Sequence, residues 1–260
     1  MVFLLKAELT NNIDGKEEHN IYESLILVDF LKESGKNATI YDKELKMHFE
    51  NPSALNKIYE VELHKIQLTL SDRLEKAEDL TRRLMYRYDW IQPKINSKNK
   101  VTGIENTEEL RSTWKEIRKT VLEDYKGEVL LNYLDEIEHK MNNQDFKICP
   151  IAQYFFFGLI FLEIPRKYES NWTKSRIIEL SEYEDEQFEE HISFEREVDD
   201  LRLYKIAGNT IGESKTTIHE YEGLVRIKDG DDFPSQVDVT VVYNQSGSIL
   251  NKWTFNLEQY

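Results

Sequence analysis

The chain has 260 residues, 40% of them hydrophobic and 32% charged. That is enough to bury a core without cross-links and too apolar for a disordered chain. A formal net charge of -15 works against nonspecific attraction to nucleic acid or anionic membrane. Cys149 is the sole cysteine, which rules out an intrachain disulfide and a cysteine-built zinc site and suits a reducing compartment.

Residues 1–50 read as a mixed α/β segment. The opening MVFLLKAELT holds too short an apolar run for a secretory leader, with no basic region before it and no cleavage site after it. The sequons at Asn37, Asn171 and Asn244 are accordingly read as coincidence. Residues 2–9 suit a strand. Residues 22–34 suit a helix closed by Gly35, although the run LILV within them also suits a buried strand. Residues 39–49 read as extended.

Residues 51–145 read as a long helical hairpin. Asn51-Pro52-Ser53 is a helix start, and apolar residues then recur every three or four positions: Leu55, Tyr59, Leu63, Ile66, Leu70, Leu74, Ala77, Leu80, Leu84, Tyr88, Ile91. A strand through Tyr59, Val61 and Leu63 competes, but it loses phase before Ile66 and needs a bulge. Residues 92–106 read as a polar loop. Asn106 with Glu109 resembles a capping box ahead of a second helical row: Leu110, Trp114, Ile117, Val121, Tyr125, Val129, Tyr133, Ile137, Met141. Gly127 interrupts that row and invites a break.

The most apolar stretch is IAQYFFFGLIFLEIP, residues 151–165. It lies within a segment, 146–170, read as an apolar junction helix with Pro150 in its first turn. About 15 uncharged residues are too few for a membrane span, which takes about 20. Phe155, Phe156 and Phe157 are adjacent and cannot share one helical face, so the element needs cover on most sides, from the protein itself or from a partner. Beyond it the period changes. Short β-like runs occupy 192–194, 201–206, 216–221 and 224–227. Val237, Val239, Val241 and Tyr243 then alternate, NQSG turns, and Trp253, Phe255 and Leu257 alternate back, a hairpin. Residues 171–260 read as an antiparallel β-sheet or sandwich. The expected class is α+β: a small mixed N-terminal segment, a long antiparallel helical hairpin and a C-terminal β domain.

No motif for chemistry stands out. GNTIGESKT, residues 208–216, has the wrong spacing for a phosphate loop, and Glu213 stands where lysine is needed. His19, His48, His64, His139, His191 and His219 form no metal pair, and no serine elbow occurs. Cys149 lies in apolar company and reads as an inert thiol. KDGDD, residues 228–232, is too short for a calcium loop and reads as a turn. Two charged patches stand out. Residues 179–200 are densely acidic, with Glu184, Asp185 and Glu186 at their centre, and read as a solvated face or a docking surface for a basic partner. Arg82, Arg83, Arg87, Lys94, Lys98 and Lys100 cluster with Tyr86, Tyr88 and Trp90 near the expected hairpin tip.

The expected function is that of a non-catalytic structural or adaptor subunit of a multi-protein assembly, such as a virion or a secretion or injection machine. It would act through protein contacts, its own copies included, at Arg82, Arg83, Arg87, the three phenylalanines or the acidic run. Its expected place is the cytoplasm or a particle assembled there, with no cofactor and no nucleic-acid partner. The alternatives are an acidic immunity-type protein that masks a basic partner, and an enzyme whose site is scattered along the sequence.

Overall fold

The computed structural model describes residues 2–13, 38–50, 56–69, 75–143, 151–154, 156–166, 170–180, 187–212, 216–245 and 249–260. In chain order the elements are strands β1 (Val2–Ile13), β2 (Ala38–Glu50) and β3 (Asn56–Thr69), helix α1 (Glu75–Met85), a 3-10 turn (Tyr86–Tyr88), and strands β4 (Trp90–Ile91), β5 (Pro93–Asn96) and β6 (Val101–Ile104). Helices α2 (Thr107–Asp124) and α3 (Glu128–Asn142) follow. Strands β7 (Thr173–Glu179), β8 (Gln187–Val198), β9 (Leu201–Thr210), β10 (Thr216–Lys228), β11 (Gln236–Gln245) and β12 (Ile249–Gln259) complete the chain.

The protein is mostly β. Strands β7 to β12 form an antiparallel meander whose last strand pairs with β1. The sheet then continues through β2, β3, β5 and β6, with β4 beside β3. The β12–β1 pairing, with Leu5 opposite Leu257 and Leu9 opposite Trp253, makes the N-terminal strands part of the same sheet as the C-terminal ones.

The long helical hairpin expected over residues 51–145 is absent from the described residues, and the α+β reading built on it is corrected. Its first half is β3. Glu44 pairs with Lys65 and Leu45 with Leu63, so His64 is the extra residue of a β-bulge. The bulge shifts the apolar row by one residue, and a two-residue repeat with one slip imitates helical spacing. The expected loop 92–106 contains β5 and β6, whose turn carries Asn99 at φ 62°. The second helical row does form helices. It breaks at Gly127, whose φ of 144° and ψ of 149° belong to a region open only to glycine, and α3 folds back on α2. Arg118 of α2 binds Asp135 and Glu138 of α3, and Arg111 Nε donates to Met141 O at 3.1 Å. Asn106 does not close a capping box. Its side chain accepts from Gln92 N at 2.8 Å and donates to Trp90 O at 2.8 Å, tying the start of α2 to β4. The helix expected over 22–34 lies outside the described residues.

The C-terminal hairpin follows the alternation in the sequence. Val237, Val239 and Val241 sit opposite Leu257, Phe255 and Trp253, and all six are buried. That face continues through Tyr204 and Ile206 of β9, Val225 and Ile227 of β10, and Phe188 and Ile192 of β8.

The described residues between 151 and 166 pack over this face. They form no helix, and the expected junction helix is corrected. Ile151, Tyr154, Phe156, Phe157, Leu159, Ile160, Phe161, Leu162 and Ile164 are each no more than 5% exposed. Phe155 lies outside the described residues. A regular helix presents one stripe to one neighbour, whereas this run needs cover on several sides. Irregular turns let Phe156 meet Tyr88 edge-on at 4.8 Å, Tyr154 meet Phe255 at 5.2 Å and Phe161 meet Phe233 at 5.8 Å. Gly158 permits the tightest of these turns. A Cβ there would lie 2.7 Å from Gln153 O, where backbone blocks it. Gly158→Ala is expected to destabilise the protein by about 1–3 kcal/mol, read as a lower denaturant midpoint at unchanged slope.

Candidate functional site

The inward-facing residues of β7 are Lys174, Arg176 and Ile178, and those of β8 are Phe188, Glu190, Ile192 and Phe194. Strand alternation thus turns two arginine-length cations and one carboxyl toward the core. Register sets Arg176 directly opposite Glu190.

Glu190 is fully buried. Arg176 Nε donates to its Oε1 at 2.5 Å. The Tyr221 hydroxyl lies 3.3 Å from Glu190 Oε2 and 3.3 Å from the Tyr154 hydroxyl. Tyr221 holds this place because its ring lies flat over Gly208, where a Cβ would come within 2.6 Å of the ring carbons. The other prong of Arg176 serves the buried segment: Nη1 donates to Gly158 O at 2.9 Å and to Phe161 O at 3.3 Å. Burial pushes the Glu190 carboxyl up to about 8, against the pull of the Tyr221 hydrogen bond. Burial also draws the Arg176 guanidinium down to about 10 and drives the Tyr221 hydroxyl well above its ordinary value, helped by Glu190.

Two further groups anchor the segment. Glu163, at φ 56°, accepts from Val101 N of β6 at 3.0 Å and is ion-paired with Lys174 of β7. Burial lowers the Lys174 ammonium, and Glu163 opposes that shift. Arg202, 1% exposed, donates to Pro165 O at 3.0 Å, Arg166 O at 2.9 Å and Asp231 O at 3.1 Å.

The sequence-predicted residues fare differently. Arg82 and Arg83 each pair with Asp79 at 2.8 Å, and Arg83 also meets Asp124 at 2.5 Å. Arg87 is buried, donates to Leu84 O at 2.7 Å and lies 4.7 Å and 5.0 Å from the ring centres of Tyr88 and Phe156. Lys94 pairs with Glu105. Of the basic patch, Arg82, Arg83 and Lys94 are thus held in ion pairs, Arg87 is a core cation, and Lys98 and Lys100 are exposed. Phe156 and Phe157 are core residues, and Glu184, Asp185 and Glu186 lie outside the described residues. Within the acidic run, residues 187–198 are β8, in which Glu189 and Glu195 face solvent while Glu190 faces the core. Neither Arg176 nor Glu190 was singled out from sequence. The available signal was a charged residue on an otherwise apolar period-two row.

On the outer face Ser175 Oγ lies 2.7 Å from His191 Nδ1, and His191 Nε2 is 3.9 Å from Glu189. The second separation is beyond hydrogen-bond reach, so the carboxylate does not orient the ring, and the three form an exposed cross-strand row. Among the described residues no group of three or more His, Cys, Asp or Glu side chains is placed to hold a metal ion, and no helix is long and apolar enough to cross a membrane. No protein-family model matches the chain, and no curated protein matches it in sequence.

The closed cluster around Glu190 can hold a proton and clamp backbone, and its burial shields it from a substrate in this conformation. Arg176→Met orphans two carbonyls and is expected to lose about 1–3 kcal/mol for each, measured by urea unfolding. Arg176→Lys is expected to recover only part of the loss, because an ammonium lacks the planar fork that reaches the carboxyl and the carbonyls together.

Proposed function

We propose that the chain is a non-catalytic binding subunit of a multi-protein assembly, working in the cytoplasm or in a particle assembled there. The observation that carries this reading is the far end of the β8–β9 hairpin. Residues 195–200 are exposed without interruption. They present Glu195, Glu197, Asp199 and Asp200 around Val198, which is 44% exposed. Asp229 N donates to Asp200 O at 2.7 Å, which brings one more exposed carboxylate alongside. Arg196 and Lys228 are the cations at this end, and Arg202 is turned inward onto carbonyls. An apolar centre ringed by carboxylates suits a basic protein surface, with charge steering the encounter.

The apolar segment 151–166 is spent on the protein's own core, so it supports no docking role in this conformation. The reading therefore rests on charge. A one-to-one complex with a single basic protein, rather than a multi-subunit particle, would favour the acidic masking alternative.

The test is cross-linking with mass spectrometry on the tagged chain in its native cells, followed by reconstitution with the partner found. A salt-weakened complex cross-linked at residues 195–200 is expected, with affinity falling at least roughly tenfold on joint Glu195→Lys and Glu197→Lys substitution. A complex indifferent to that reversal, or a chain that stays monomeric without cross-links, would overturn the reading.

A further inference from the structure

Strands β6 and β7 are the two ends of the sheet's path, yet one side chain touches both. In the β5–β6 turn, Lys100 directs its backbone toward β5, its carbonyl accepting from Asn96 N at 3.0 Å. Alternation then points Val101 N away from β5, over the outer edge, where Glu163 Oε1 accepts from it at 3.0 Å. The other oxygen of the same carboxylate is ion-paired with Lys174 of β7. The outer edge of β7 meets the other end of the same segment: Glu179 N donates to Ala152 O and Tyr154 N to Glu179 O. The sheet therefore curls until its two ends are one side chain apart, and the buried segment runs from one edge to the other, from Ala152 on β7 to Glu163 on β6.

We propose that this seam is a gate. Glu163 is its clasp, and parting the clasp lets the β5–β6 hairpin swing off residues 156–164 and bare their apolar side chains while the ladders from β7 round to β3 stay formed.

Neighbouring strands on the path are joined by backbone ladders, whereas the seam is joined through side chains. Asn99 is the second of these. From the β5–β6 turn it donates to Ile164 O and to Asp232 O, at 2.8 Å each. The hairpin itself hangs on β3 over three register pairs, Asn56 with Asn96, Lys57 with Ile95 and Ile58 with Lys94, a short ladder of the kind that opens before a sheet's long ones. Glu163 holds its place at φ 56°, a left-handed conformation that is costly for a residue with a Cβ, and strain of this kind gathers at switch regions. Opening relieves it. What keeps the gate shut besides the clasp is apolar burial, for Ile95 and Ile104 of the hairpin are 1% and 5% exposed. This inference goes beyond the contact surface proposed above and does not rest on it.

Native-state hydrogen exchange, read by mass spectrometry on the full chain in rising urea below the unfolding transition, tests the gate. In wild type, peptides covering 93–104 and 156–164 are expected to share one opening, with a smaller urea dependence than peptides from β11 and β12, which open only with the whole protein. Two variants weaken the seam. Glu163→Gln keeps an oxygen for Val101 N and removes the charge that pairs with Lys174. Asn99→Gly removes both carbonyl contacts and suits the φ of 62° at that position. Each is expected to raise the shared opening constant by roughly tenfold. Seam peptides that exchange in wild type only on global unfolding would overturn the gate, as would a shared opening unmoved by Glu163→Gln. The wild-type measurement decides by itself where a variant does not fold.

Discussion

The constraint on which the rest depends is the burial of a segment that has no secondary structure of its own. A helix or strand satisfies its backbone internally or through a ladder. Residues 151–166 do so only in part, through turn bonds such as Gly158 N to Gln153 O and Phe161 N to Phe157 O, yet they lie in the core, where an orphaned carbonyl is costly. Several other carbonyls take donors from outside. Arg176 takes the carbonyls of Gly158 and Phe161, Arg202 takes those of Pro165 and Arg166, and Asn99 takes that of Ile164 at 2.8 Å. At the start of the segment Tyr154 N donates to Glu179 O and Glu179 N to Ala152 O. The long apolar run is therefore inseparable from inward-pointing cations.

The same cations answer a second demand. Strand β7 ends the path of the sheet, and an end strand can recruit foreign strands. Inward-pointing charge is one of the ways such edges are protected, because a docking strand would have to cover it. Lys174 and Arg176 sit on that row, each neutralised within the fold by Glu163 or Glu190. At the far end of β7, the bridge between Gln153 and Glu179 occupies the outer edge. One pair of side chains thus anchors the core segment and guards the sheet.

How much of this was legible depends on how cleanly a repeat survives. The β11–β12 hairpin was readable because Val237, Val239, Val241 and Tyr243 alternate without a slip and a turn sequence follows. Strand β3 was not, because the bulge at His64 converts a two-residue repeat into steps of three and four that a helix also satisfies. The helices after Thr107 and the break at Gly127 were readable from the apolar row and its glycine. The apolar stretch at 151–165 was recognisable as needing cover, but its irregular path follows from Arg176, Arg202 and Asn99, none of which is near it in sequence. For the site, crowding drew attention to Glu184, Asp185 and Glu186, whereas the consequential carboxyl is Glu190. Its signal was phase: it occupies the row of Phe188 and Ile192, where an apolar residue belongs.

That exception also explains why an apolar replacement for the pair does not serve this fold. Buried ion pairs can often be exchanged for well-packed apolar residues with no loss of stability. Here the guanidinium is required by two carbonyls before it meets any carboxyl, so an apolar residue at position 176 would leave Gly158 and Phe161 without donors. Once Arg176 is fixed in the core, a group that can accept from its Nε must stand opposite, and register makes that position 190. A glutamate there has one close bond and one long one, which leaves its charge incompletely compensated. The need to seat an irregular apolar segment thus places an ion pair in the core, with its cation shared between the segment and the sheet.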